Sequence, residues 1–186
     1  MVPIFIGTLV LATVTCAQAS PEEAAGIPWG SSPQAVKSLM KDRPGTVVTE
    51  DEPDHLIIKG SDLGGKQVDF WRFDFVGAKM SKLLVRLVLP EGSDAKGSLA
   101  DHLRADLRHM LERRFGRPKE EAGNNWYHTC VWTWPSGTGK GASKQVVLMD
   151  AWHDHHLEVF YVDNPPLAPS TPAPAVSGQP NKPHPL

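Results

Sequence analysis

Between about Ile27 and Asp163 the chain alternates apolar and polar positions with two periods, one of a strand and one of a helix. A first helix starts at Ser31-Ser32-Pro33-Gln34. Either serine can cap the free backbone N–H groups, Pro33 tolerates an early helical position, and Gln34 can close a capping box from Ser31. Val36, Leu39 and Met40 then share a face, and Arg43-Pro44-Gly45 stops the helix. Thr46–Thr49 and His55–Lys59 read as short strands around an acidic turn, Glu50-Asp51-Glu52-Pro53-Asp54. From Gln67 the period of two is plain: Trp71, Phe73 and Phe75 point one way, Arg72 and Asp74 the other. Val76-Gly77-Ala78-Lys79 turns the chain into Leu83, Val85, Leu87 and Leu89, a second strand ended by Pro90, and the two should form a hairpin.

The strongest helical stripe runs over Leu99–Phe115. Leu99, Leu103, Leu107, Met110, Leu111 and Phe115 recur at three- and four-residue steps. Ser98 can cap it, Asp101 suits its positive end, Arg113 and Arg114 suit its negative end, and Gly116 with Pro118 ends it. Three strands follow: Trp126–Trp134, then Gln145–Trp152 and His155–Val162 as a hairpin around His153-Asp154. The order helix, strands, helix, strands predicts an α+β fold, an antiparallel sheet with two helices arranged as two αβββ-like halves.

Trp29-Gly30-Ser31-Ser32 before a short helix, the Phe73-x-Phe75 strand, Phe115-Gly116-Arg117-Pro118 closing the second helix, and Trp126 opening the next strand form a pattern. It resembles that of small exported bacterial proteins of unknown function. Their plan is similar to the β-lactamase-inhibitor-protein-like and outer-membrane-assembly-lipoprotein-like α+β folds. The resemblance covers Trp29 to Val162 and implies an envelope or binding role, with no functional residues carried over.

The two ends change the picture. Val2–Val14 is nearly all apolar, and Ala17-Gln18-Ala19 offers small residues for signal-peptidase cleavage, so residues 1–19 are expected to be an export signal and the mature protein periplasmic or secreted. The apolar run reaches about 20 Å as a helix against a bilayer core of about 30 Å, which argues against a permanent membrane span. No Lys or Arg precedes the run, which leaves the annotated start codon open. Cys16 could be a lipid anchor, but Thr13 and Thr15 stand where lipoprotein signals place Leu and a small residue, a departure from the lipoprotein members of the resemblance. With Cys16 removed, Cys130 is a solitary thiol and no internal disulfide can form. Residues 164–186 are dense in proline and poor in large apolar side chains, a composition expected of a disordered tail, and 27–163 remains as one α+β domain. A formal net charge of -2 points to no nucleic-acid partner.

Five patterns bear on chemistry. Gly137-Thr138-Gly139-Lys140-Gly141 resembles the end of a phosphate loop but lacks the earlier glycine (Trp134 stands there) and the Ser or Thr after lysine. His153, His155 and His156 flank Asp154 and are the candidate metal ligands, although a polar hairpin tip explains them equally well. His128 and Cys130 share a strand face, but side chains two apart lie about 7 Å from each other along a strand, and buried neighbours would raise the thiol pKa. Trp126, Trp132 and Trp134 at two-residue steps could be an aromatic platform for sugars, or core against the long helix. Arg104, Arg108, Arg113, Arg114, Arg117 and Lys119 interleave with acids and read as a solvated face.

No catalytic or cofactor motif stands out. The expectation is an exported, non-catalytic envelope protein binding a protein, peptide or glycan. The alternative is a small periplasmic metal-binding protein or hydrolase using the histidines near residues 153–156. Partner identity, oligomeric state and the role of the tail are not written in the sequence.

Overall fold

A computed structural model describes residues 22–89, 98–123, 127–135, 143–151 and 156–164. The elements are β1 (Glu23–Ala24), β2 (Ile27–Pro28), α1 (Pro33–Lys41), β3 (Val47–Asp51), β4 (His55–Lys59), β5 (Asp62–Leu63), β6 (Lys66–Val76), β7 (Lys79–Leu87), α2 (Ser98–Phe115), β8 (Glu120–Gly123), β9 (Tyr127–Pro135), β10 (Ser143–Ala151) and β11 (His156–Asn164).

Helix α1 begins where a proline can occupy the first turn. The side chain of Ser32, not Ser31, accepts from the Ala35 N–H at 3.2 Å, while the Ser31 hydroxyl donates to the Pro28 carbonyl at 2.7 Å. Val36 and Met40 are buried, but Leu39 is 41% exposed and leaves the expected stripe. In α2, Leu107, Leu111 and Phe115 are buried, with Leu103 and Met110 packed at the margin. Gly116, at φ 75°, closes this helix by donating to the Glu112 carbonyl at 2.7 Å. The β6–β7 hairpin turns through Gly77 and Ala78, at φ 57° and 59°. Two left-handed residues in a two-residue loop match the right-handed twist of the flanking strands.

The balanced α+β plan with two αβββ halves does not describe the molecule. Strand accounts for about 56% and helix for about 21% of the described residues, and nine of the eleven strands among them merge into one antiparallel sheet. Its order is β3-β4-β6-β7-β11-β10-β9-β8, with β5 attached to β6. The physical reason lies in the β7–β11 pair, which joins Leu83 to Tyr161, Val85 to Val159 and Leu87 to Leu157. Those side chains are apolar and fully buried on one face, so pairing them in register extends a single hydrophobic layer. Separate halves would each leave that row at an unpaired edge.

Register assigns the two faces. Leu56, Ile58, Trp71, Phe73, Leu83, Val85, Val159, Tyr161, Val146, Leu148, Trp132 and Trp134 share one face and form a single core cluster with Val36, Met40, Leu107, Leu111 and Phe115. Both helices therefore cover that face. The small β1–β2 hairpin adds Ala24 and Ile27 to the same cluster. The opposite face has no layer of described residues over it.

Candidate functional site

The uncovered face divides along its width. Across β4, β6 and β7 it presents His55, Ile57 and Lys59, then Phe70, Arg72 and Asp74, then Lys82, Leu84 and Arg86. Most of the charges there are matched within the chain. Arg72 Nε meets Asp74 Oδ1 at 2.9 Å, His55 lies 2.9 Å from Asp54 and 3.1 Å from Glu50, and Arg86 donates twice to Glu158 Oε1, each at 2.8 Å. Glu158 is only 6% exposed, so this ion pair is largely desolvated on the Glu158 side. Hydrogen bonds donated to the Asp54 and Glu50 carboxylates raise the pKa of His55, and the same bond from His55 holds the Asp54 carboxyl below its ordinary value.

Across β11, β10 and β9 the same face sets an apolar cluster among the polar side chains of Glu158, Gln145, Thr133 and Thr129. Phe160 lies opposite Val147, Val147 opposite Val131, and Met149 joins Glu158 to Thr129. Phe160, Val162, Val147, Met149 and Val131 are all half-buried, shielded by their neighbours along the sheet. The two phenylalanines carry cations: Lys82 Nζ is 5.5 Å from the Phe160 ring centre, and Arg86 Cζ is 4.6 Å from that of Phe70.

Two of the cavities that open around the helices bring several charged side chains together. One, of about 480 Å³, lies between α2 and β8–β9 and brings together Arg104, Arg108, Glu121, His128 and Cys130. Its cations are taken up by its own carboxylates. Arg108 donates to Glu112 at 2.8 Å and to both oxygens of Glu121 at 3.0 and 2.7 Å, which raises the arginine pKa further. Arg104 donates to Asp101 at 2.8 Å and to Asp150 at 3.1 Å. His128 and Cys130 do line the same cavity, but burial pushes the Cys130 thiol up, against the thiolate that nucleophilic chemistry requires.

The second cavity, of about 470 Å³, opens where the β1–β2 turn, the segment after α1, the β5 turn and α2 meet. Arg43, Ser61, Asp62, Arg114 and Tyr161 are its polar members. Arg43 Nη2 donates to the Ala25 carbonyl at 2.7 Å, and the guanidinium lies 4.9 Å over the Trp71 ring. Burial lowers its pKa from the usual arginine value. Burial also pushes Tyr161 up to about 12.

The residues singled out from sequence fare unevenly. His153 and His155 lie outside the described residues, and His156 is described only by its backbone, opposite Ala151 at the start of β11. No group of three or more metal-ligating side chains converges among the described residues. Trp132 and Trp134 are 1% and 5% exposed and belong to the core. Trp132 Nε1 donates to the Gly116 carbonyl at 2.7 Å, and Trp134 sits edge-on to Phe115 with ring centres 5.2 Å apart. Neither can stack a sugar. Trp126, the glycine-rich stretch at 137–141, the signal at 1–19 and the tail from 165 lie outside the described residues. Of the basic run on and after α2, Arg104, Arg108 and Arg114 are ion-paired, Arg114 to Glu23 at 2.6 Å. Arg43 and Tyr161 escaped notice because one looked like a helix terminator and the other like one of several alternating strand residues. A tyrosine among purely apolar core positions was the available signal, since its hydroxyl needs a partner or an opening.

No protein-family model, curated protein or solved structure matches this chain. No helix among the described residues is long and apolar enough to cross a membrane.

Proposed function

We propose that the protein is an exported, non-catalytic binding protein of the cell envelope, and that the uncovered sheet face docks a folded protein partner. The carrying observation is the apolar half of that face, Phe160, Val162, Val147, Met149 and Val131, beside a half whose charges are largely neutralised internally. A protein partner fits better than a glycan. The described tryptophans of the sheet, Trp71, Trp132 and Trp134, are turned into the core, and both exposed-side phenylalanine rings are already met by cations. Size agrees: eight strands about 4.8 Å apart, with three outward residues each, span on the order of 750 Å². A stable interface takes about 800 Å² from each partner. The export address rests on residues 1–19, and the resemblance to small exported bacterial proteins of unknown function is in keeping with it.

Site-specific photo-crosslinking in the native envelope tests this. A crosslinker at Val147 or Val131 should give one dominant protein adduct, and the same group at Arg113 on the helical side should not. The adduct should vanish when Phe160→Asp is combined with the crosslinker. Equal labelling from both faces, or none from either, would refute the reading.

A further inference from the structure

The cavity beneath the β1–β2 turn holds two polar groups with capacity left over. Arginine has five N–H donors. Arg43, half-buried and stacked on Trp71, uses one hydrogen bond, to Ala25, and forms no ion pair among the described residues. Tyr161 is 2% exposed, yet it borders the cavity, and its hydroxyl makes no hydrogen bond among the described residues. A tyrosine hydroxyl placed in a core without a partner costs stability, so its opening onto a cavity is chemically informative. Of the other charges, Arg114 is ion-paired to Glu23 at 2.6 Å, and Asp62 accepts from the Gly65 N–H at 2.9 Å while its negative charge acts on Arg43. Leu63, Met110 and Leu111 supply apolar wall.

The turn geometry keeps the space open. Ala25 and Gly26 have φ of 51° and 85°, and a Cβ on Gly26 would come within 3.4 Å of Arg43 Nη2. Gly64, at φ 59°, faces Met110 so closely that a Cβ there would sit 2.6 Å from its sulfur. Two left-handed glycines thus let two turns approach the cavity wall without filling it.

We infer that this cavity binds a small organic carboxylate with an apolar body, held by Arg43 and the Tyr161 hydroxyl against Leu63, Met110 and Leu111. A guanidinium and a hydroxyl are both donors, which suits an acceptor-only carboxylate. One uncommitted cation beside Asp62 suits a single negative charge better than a phosphate dianion. The volume of about 470 Å³ falls within the usual range of roughly 300–1,000 Å³ for small-molecule sites. The cavity lies on the helix-covered side, so this inference stands apart from the docking role of the opposite face.

The test uses the full mature chain with methyl-labelled methionine, following the Met110 resonance during titration with sodium hexanoate, neutral hexanamide and inorganic phosphate. Hexanoate should shift Met110 saturably within tens of millimolar, and hexanamide and phosphate should not. Tyr161→Phe, which keeps the ring, should weaken hexanoate roughly tenfold, the scale of one hydrogen bond to a charged group. Arg43→Gln should abolish binding, and if that variant does not fold, Tyr161→Phe decides alone. No saturable hexanoate shift, an equal response to hexanamide or phosphate, or unchanged affinity in Tyr161→Phe would overturn the assignment.

Discussion

The two halves of the uncovered face differ in how they satisfy themselves. On β4, β6 and β7 most charged groups find an opposite charge inside the chain, and Arg86 of β7 does so across the boundary, meeting the desolvated Glu158 of β11. On β11, β10 and β9 the apolar side chains have mainly each other and water, apart from Phe160, which meets Lys82 of β7. Water leaves apolar surface at a gain and a satisfied ion pair at a loss or near parity. Docking energy should therefore concentrate on the apolar half, while the charged half sets what is tolerated beside it. The general lesson is that surface charge marks a binding region only where it lacks partners at home.

Four measurements would break or sharpen that contrast. The largest expected effect is on partner capture. Val147→Glu places a charge at the centre of the apolar half and should reduce capture by at least tenfold while lowering stability by less than about 1 kcal/mol, as surface changes do. Arg72→Ala, an exposed-pair change on the other half, should leave capture within about twofold. Comparable losses from both would erase the distinction.

Next in size is the Arg86–Glu158 pair. Removing Arg86 strands a carboxylate that is 6% exposed, and Arg86→Ala should cost about 2 kcal/mol in urea unfolding, below the full buried-pair penalty because the arginine itself is partly solvated. The double variant Arg86→Met with Glu158→Met should recover most of that loss. A double variant as unstable as the single one would mean that the charges, rather than their matching, hold these strands together.

The smallest effect is a pH dependence. His55 has its folded pKa raised by its hydrogen bonds to Asp54 and Glu50. A raised folded value means the contribution is complete below the unfolded pKa of about 6.5 and is lost as pH climbs through the folded value. The melting temperature should thus drop slightly from mildly acidic to alkaline buffer, and Glu50→Gln should flatten that slope. An NMR titration giving His55 a pKa at or below the unfolded value would contradict the sign.

Much of the architecture could be read from residue order, and the limits have physical causes. The alternation of Trp71, Phe73 and Phe75 and the stripe of Leu107, Leu111 and Phe115 survive because each buries one side of one element. Strand β8 was invisible: Glu120, Glu121, Ala122 and Gly123 are all exposed, and only pairing with β9 makes them a strand. The fusion into one sheet was equally hidden, since nothing local in β7 or β11 names its partner. Cys130 was legible as a thiol packed against the core. The Arg43–Tyr161 cavity was not, because its members come from five separate segments that only the finished fold assembles.

The β7–β11 junction also bears on how the chain reaches this state. Hairpins β6–β7 and β10–β11 close over short or moderate loops and can form early. The bond between Arg86 and Glu158 spans 72 positions, and loop closure of that length is slow relative to hairpin formation. Folding should therefore be limited by the encounter of two preformed meanders. Val159→Ala would then slow refolding almost in proportion to the stability it removes, whereas a substitution in the β6–β7 turn would mainly shift the pre-equilibrium. Until that encounter succeeds, β7 and β11 are two exposed hydrophobic edges, and crowding in transit is the stage at which this molecule is most prone to aggregate.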